Sequence, residues 1–191
     1  MDKSLEELLS GAASEVAPRL LGCVLEREID GQVVRVRIVE TEAYDQTDAA
    51  SHSFKGKTPR TDVMFGPAGH LYVYFTYGMH YCCNIVVGKT GEGAAVLIRA
   101  VELITGEQIL KDNRPGVTGV NLTNGPAKLC QALNIDKSWN GHDLTKLPLR
   151  LRMMPTLPTD QIIQTTRVGI KQAKDIPWRF YIKDNPYVSK Q

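Results

Sequence analysis

The sequence predicts the α+β class: one mixed domain over residues 1–191, built on a curved, mostly antiparallel sheet with short helices beside it. Three observations carry that expectation. The pair Asp30-Gly31 separates two strand-like runs, in the second of which apolar and charged residues alternate. The runs 71–76, 79–87 and 94–101 are rich in β-branched and aromatic residues. Helix start and stop signals fall in the first 22 residues and after Asn124. At 191 residues, 42% of them hydrophobic, the chain is long enough to bury a core and short enough to keep it in one piece.

Ser4 followed by Glu7 reads as a capping box that opens a helix through Leu5, Leu8 and Leu9, stopped by Gly11. A second helix is expected over 14–21, closed by Gly22. Strands 23–29 and 32–40 then flank Asp30-Gly31, a strong two-residue hairpin signal, and Val34, Val36 and Ile38 alternate with Arg35 and Arg37. From 45 to 69 the composition turns polar, which predicts a long ordered loop, and loops of that length usually serve function. Strands 71–76 and 79–87 lie on either side of Tyr77-Gly78, and strand 94–101 follows. Asn124-Gly125-Pro126 begins a helix in which Leu129 and Leu133 stack one turn apart, with Lys128 in its first turn. Residues 137–160, rich in Pro, Lys and Asp, read as an excursion, and 161–170 fits strand or helix equally well.

The 23 basic and 21 acidic residues leave a formal charge of only +2, so any nucleic-acid contact must come from local patches. Cys23, Cys82, Cys83 and Cys130 show no CxxC spacing, which argues against a zinc site or a disulfide framework. No stretch approaches the roughly 18 to 20 apolar residues that would span a bilayer. A soluble protein of the reducing cytoplasm, without a membrane association, is expected.

Several residues invite chemistry. Glu40, Glu42 and Tyr44 share one face of an extended chain and would make an active-site wall, although acids at a strand end are more often simply solvated. Tyr72 and Tyr74 share a face opposite Val73 and Phe75, which suits a pocket that stacks a planar ligand or, equally, a sheet face wetted on one side. Tyr77 at a hairpin tip would be exposed. Arg99 shares a face with Ala95 and Leu97 in an apolar strand and so demands an anionic partner, for which Glu102 or another acid would serve. His52 lies with Lys55, Lys57 and Arg60 in the long loop, where solvated side chains are the ordinary outcome. Lys128, beside the free amides of a helix start, could meet a phosphate.

Together, and in order, these blocks resemble one family. Arg37-Ile38-Val39-Glu40-Thr41-Glu42-Ala43-Tyr44, Ala50-Ser51-His52-Ser53, Thr58-Pro59-Arg60, Met64-Phe65, Leu71-Tyr72-Val73-Tyr74, Tyr77-Gly78-Met79, Asn84, Leu97-Ile98-Arg99-Ala100, Gly125-Pro126-Ala127-Lys128-Leu129 and Arg167-Val168-Gly169 are similar to the signature of the alkyladenine (3-methyladenine) DNA glycosylases. The resemblance spans nearly the whole chain. It implies a DNA-repair enzyme that flips alkylated or deaminated purines from duplex DNA and hydrolyses the N-glycosidic bond. Glu42 would be the general base, with Arg99 and the backbone carbonyl of Val168 holding the water. Tyr44, His52 and Tyr74 would sandwich the flipped base, backbone near Ala50 would read its edge, Leu97 would pack nearby and Asn84 would exclude guanine. Tyr77, with Met79, would enter the DNA stack from a protruding hairpin, and Thr58, Arg60 and Lys128 would contact DNA. No metal, no cofactor and a monomer are implied. Residues 53–63, the loop before His52 and residues 137–160 match the family least. Two rival readings stand beside it: a binding module without catalysis, indifferent to Glu42, and a metal-dependent hydrolase using Glu40, Glu42 and His52.

Overall fold

In the computed structural model, residues 3–76 and 78–189 are described. Helices α1 (Lys3–Leu9) and α2 (Ala13–Arg19) precede strands β1 (Val24–Ile29) and β2 (Gln32–Tyr44). Then come β3 (Leu71–Thr76), β4 (His80–Val86), β5 (Ala95–Thr105), α3 (Glu107–Asn113), α4 (Pro126–Ala132), β6 (Leu149–Arg152), β7 (Ile162–Thr165) and β8 (Arg179–Ile182). The strands form one antiparallel sheet in the order β3-β4-β5-β2-β1-β6, with β8 paired to both β2 and β7. The α+β expectation holds. At the first hairpin Asp30 and Gly31 both take positive φ, 49° and 75°, as a two-residue turn of matching twist requires.

Four elements differ from the sequence reading. β2 runs on to Tyr44 rather than ending at 40, because β5 continues beside it as far as the pair Tyr44↔Ala95. Helix α3 and strand β8 had no distinct pattern: each is short, and what each buries is set by the neighbours it docks on. The excursion over 137–160 contains β6 and settles the sheet's edges. Val73 N donates to Asn140 Oδ1 at 2.9 Å, Gly141 N to Leu71 O at 2.7 Å and Leu71 N to His142 O at 2.8 Å, so this segment covers the outer edge of β3. A few residues later the same segment becomes β6 and pairs with β1 at the opposite edge. A connection that short cannot cross a flat six-strand sheet, so the sheet curls until its edges approach.

The register between β2 and β5 shifts around Val39 and Arg99: Ile38 faces Val101, Glu40 faces Ala100 and Thr41 faces Ile98. One extra residue on each strand reverses which side chains meet the core. Val34, Val36 and Ile38 point into the main apolar cluster, but beyond the bulge it is Ala43 that does so, while Thr41 Oγ1 donates to Ala17 O of α2 at 3.0 Å. On β5 the change is from Val96 and Ile98 to Val101. Glu40, Glu42 and Arg99 are thereby turned to the face away from that cluster, as bulges beside active sites commonly re-aim side chains.

At the far edge, Glu26 of β1 is 1% exposed and is ringed by Arg35 (2.8 Å), Arg150 (2.6 Å) and Arg152 (3.2 Å). Burial alone would raise its pKa, but the three guanidinium groups outweigh burial and hold it down to about 2. Because the folded value lies below the ordinary 4.5, this carboxylate stabilises the fold fully above pH 4.5 and loses that contribution as pH falls toward 2. Denaturant midpoints measured from pH 6 to 2 should fall less steeply below pH 4.5 in Glu26→Gln than in the parent; parallel curves would remove Glu26 from the acid response.

Candidate active site

The bulged stretch of β2 supplies two buried acids on one face, and burying a carboxylate is costly unless donors surround it. Glu42 is 0% exposed. Its Oε1 accepts the Val168 backbone N–H at 2.7 Å and lies 3.3 Å from Arg99 Nη1, while its Oε2 accepts the Tyr44 hydroxyl at 2.7 Å. Glu40 accepts from Arg99 Nε at 3.0 Å, Arg179 Nε at 2.7 Å and both the N–H (2.7 Å) and hydroxyl (3.0 Å) of Ser189. The acids and arginines thus alternate, Glu42–Arg99–Glu40–Arg179. Burial would lower the pKa of Arg99, but Glu42 and Glu40 outweigh it and keep the guanidinium charged. Glu102, one candidate partner for Arg99 in the sequence, pairs instead with Arg37.

Glu42 faces a cavity of about 250 Å³, close to the lower end of the roughly 300–1,000 Å³ usual for small-ligand sites. Tyr44, Ala50, His52, Tyr74, Asn84, Leu97, Arg99 and Val168 line it with Glu42, so every residue expected to catalyse or bind substrate is brought to one place. Met64, Tyr72, Thr76, Cys82, Pro126, Gly169 and Ile170 complete the wall. Cys82 was legible, since it sits two residues before Asn84 on the same strand face; burial pushes its thiol up to about 11, which keeps it protonated and inert. Thr76 and Ile170 had no signal of their own, and Pro126 was marked only as a helix start and part of the family signature.

Two details add to the expected picture. Val168 touches Glu42 through its amide N–H. The parallel aromatic pair is Tyr72 with Tyr74, their centroids 5.7 Å apart at 27°, whereas His52 meets Tyr74 edge-on at 4.6 Å and 84°. Burial first, and then the nearby Glu42 charge, raises the pKa of Tyr44, so its hydroxyl stays a donor to the carboxylate. Asn84 Nδ2 donates to the carbonyl of its cross-strand partner Tyr72 at 3.1 Å, which makes it a strand-pinning amide and a piece of cavity wall at once.

The expected DNA contacts are more dispersed. Met79 is 71% exposed beside the end of β3. Tyr77 lies outside the described residues. Arg60 is exposed at the cavity mouth, its guanidinium carbon 5.8 Å over the Tyr74 ring and Nη2 3.4 Å from His52 Nε2. Thr58 bonds Thr61 within the loop and does not line the cavity. Lys128 Nζ donates to Asn124 Oδ1 at 2.7 Å, and the seven-residue α4 behind it is short, so any phosphate contact there would rest on the lysine. The loop itself is pinned to the sheet: Ser53 Oγ donates to Gly93 O at 2.6 Å, and a Cβ at Gly93 would come within 2.6 Å of Phe65. Among the described residues no helix is long and apolar enough to cross a membrane.

Comparison with known proteins points to one family. The family model of methylpurine-DNA glycosylase (MPG) matches residues 7–186. A protein of Carboxydothermus hydrogenoformans named "Putative 3-methyladenine DNA glycosylase" is 53% identical over 178 residues, covering 92% of this chain and 93% of its own. Proteins with the same name from Methanoculleus marisnigri, 47% identical over 92% of this chain and 93% of theirs, and Francisella tularensis, 45% identical over 98% and 99%, are also similar.

His52 offers a test of the geometry. Its Nδ1 lies 3.0 Å from the Tyr72 hydroxyl. Desolvation lowers its pKa first, and the Arg60 cation lowers it further, to about 4. The imidazole is therefore neutral at pH 5–8, and it gains charge only as pH drops through about 4. Nuclear magnetic resonance titration of the His52 ring should place its midpoint near 4, and Arg60→Gln should raise it only part of the way to the ordinary 6.5, because desolvation remains. A midpoint near 6.5 in the parent protein would contradict the packing described.

Proposed function

The chain belongs to the methylpurine-DNA glycosylase family, and from that membership we propose how it works: a damaged purine, flipped from duplex DNA, enters the cavity and loses its sugar bond to a water activated by Glu42. It is a DNA glycosylase of alkylated purines, a hydrolase of N-glycosyl bonds acting in base excision repair. The observation that carries the residue assignment is the buried carboxylate of Glu42 opening onto an aromatic cavity while three donors steady it.

Cleavage of the C1′–N bond sends its electron pair to the departing base and leaves oxocarbenium character on the sugar. An alkylated purine carrying a positive charge departs as a neutral base, so little help is needed on the leaving-group side. The Glu42 carboxylate faces the developing charge, and the same carboxylate takes a proton from the water whose oxygen attacks C1′. The product is an abasic site. Arg99 orients Glu42, and the backbone of Val168 closes the same side. In this reading Tyr44, Tyr74 and His52 hold the base, Ala50 and Leu97 close its edges, and stacking returns about 1–3 kcal/mol per base against a flipping cost of a few kcal/mol. A lesion that pairs weakly is flipped more cheaply, so deaminated purines enter as well. Tyr77 with Met79 would fill the stack that the base leaves, and Thr58, Arg60 and Lys128 would grip the phosphates. The protein would act as a monomer in the cytoplasm.

Two substitutions test the assignment. Glu42→Gln keeps the shape of the side chain and removes the base, which should slow single-turnover release of hypoxanthine or 3-methyladenine by about 100- to 10,000-fold with lesion-DNA binding nearly intact. Rates within threefold of the parent would remove Glu42 from the role of general base. For Asn84 the expectation is a change of specificity. Guanine alone among these purines carries an exocyclic N2 amino group, and a side chain occupying that volume rejects it. Asn84→Ser should release undamaged guanine from a mismatch measurably faster, with a modest loss on hypoxanthine and a stability cost of about 0.5–1.5 kcal/mol for the lost bond to Tyr72. A parallel fall in both activities of the folded variant would leave Asn84 as a strand amide only.

A further inference from the structure

The segment between β7 and β8, residues 166–178, contains no strand, yet it must hold the Val168 N–H 2.7 Å from Glu42 Oε1. The neighbouring side chain shows how. Arg167 and Asp48 form an ion pair in which both side chains are 0% exposed. The contact is two-pronged, Arg167 Nη1 with Asp48 Oδ2 and Nη2 with Asp48 Oδ1 at 3.0 Å. Arg167 Nη1 also donates to Ala43 O at 2.8 Å, the carbonyl between Glu42 and Tyr44, and its guanidinium carbon lies 4.8 Å over the Tyr44 ring and 5.4 Å over that of Trp178. Asp48 Oδ1 in turn accepts the N–H of Ala50 at 3.0 Å, on the cavity wall. One guanidinium therefore touches the end of β2, the loop that carries Ala50 and His52, and the segment that carries Val168.

We infer that the Arg167–Asp48 pair is the positioning device of this active site, which sets the Val168 amide on Glu42 and the Tyr44 ring over the cavity. Stability alone is a poor reason for such a pair. A buried ion pair is often replaced by apolar residues of similar volume without loss, whereas apolar residues cannot hold a carbonyl and an amide at hydrogen-bond distances while stacking a cation on a ring. Arg167 and Asp48 do not line the cavity, so they act through Glu42, Tyr44 and Ala50. The inference rests on Glu42 being the base only for its effect on rate, since the placement of Val168 can be read without substrate.

The test is amide hydrogen exchange on the full chain. Arg167→Met removes the charge at similar length, and Arg167→Lys keeps a charge that reaches one partner but not three. Both should speed exchange at Val168 about tenfold or more while the sheet amides of Ile38 and Val86, bonded to Cys23 and His70, stay protected. Val168 exchange unchanged, or raised only in step with Ile38 and Val86, overturns the positioning role; should Arg167→Met fail to fold, Arg167→Lys decides by the same ratio. In single-turnover assays the folded variants should release base about 10- to 100-fold more slowly, and the loss should vanish when Glu42→Gln is already present. Parent-like rates in the Arg167 variants would also overturn the inference. A parent protein that releases no base would instead overturn the assigned chemistry, with the exchange ratio still deciding the role of Arg167.

Discussion

A charged carboxylate with no exposed surface can persist only if its donors are built in, and the placement of Glu42 is the constraint from which the arrangement around it follows. Its donors come from positions 44, 99 and 168, far apart in the chain. Adjacent antiparallel strands bring the first two together, and the paired bulges at Val39 and Arg99 turn acid and arginine to the same face. Without those bulges Glu40 and Glu42 would continue the row of Val34, Val36 and Ile38 into the apolar cluster, where no cation waits. The curl of the sheet, fixed by the segment that covers β3 and then pairs with β1, sets the tyrosine-bearing strand opposite this acid.

The aromatic half of the cavity obeys a different requirement. Tyr72 and Tyr74 must offer ring faces while their hydroxyls find partners, and burial raises the pKa of each, so both remain neutral phenols. His52, neutral well below physiological pH, adds a ring without a charge. The fixed charge within the cavity is thereby confined to Glu42 and Arg99, on one side of an otherwise uncharged wall. In the mode of action proposed above, that division sets the acid against the sugar and the rings against the base.

Much of this was legible in the sequence, and the reasons differ by residue. The Asp30-Gly31 turn and the alternation after it are local signals, and the strand they predict continues into Glu40, Glu42 and Tyr44. Glu42, Tyr44, Ala50, His52, Tyr74, Asn84, Leu97, Arg99 and Val168 were brought together by family resemblance, and spacing alone could have paired only those on one strand. Asp48 was not singled out, because a lone aspartate in a polar loop carries no mark of a partner 119 positions away. The bulges were equally silent: no glycine or proline announces them at Val39 or Arg99, and their effect, a reversal of facing, is visible only when both strands are seen side by side. For β8 the four residues Arg179–Ile182 are too few for periodicity to speak.

Why two acids flank one arginine is the remaining question, and the distances answer it. Had Arg99 only Glu42 to pair with, its guanidinium would close on that carboxylate in a tight two-pronged bridge, and Glu42 would be spent as a structural acid. Glu40 instead takes the Arg99 Nε at 3.0 Å and draws Arg179 and Ser189 to the same carboxylate, leaving Glu42 the longer 3.3 Å contact through Nη1. Neutrality is kept over the row as a whole, two carboxylates against two guanidiniums, so neither buried acid is left uncompensated. Removing one member of such a row typically costs about 3–5 kcal/mol, because the charge left behind has no partner. Glu40 therefore acts at a distance from the cavity by competing for Arg99, and the result is a Glu42 carboxylate shared among Arg99, Val168 and Tyr44 rather than closed onto one guanidinium.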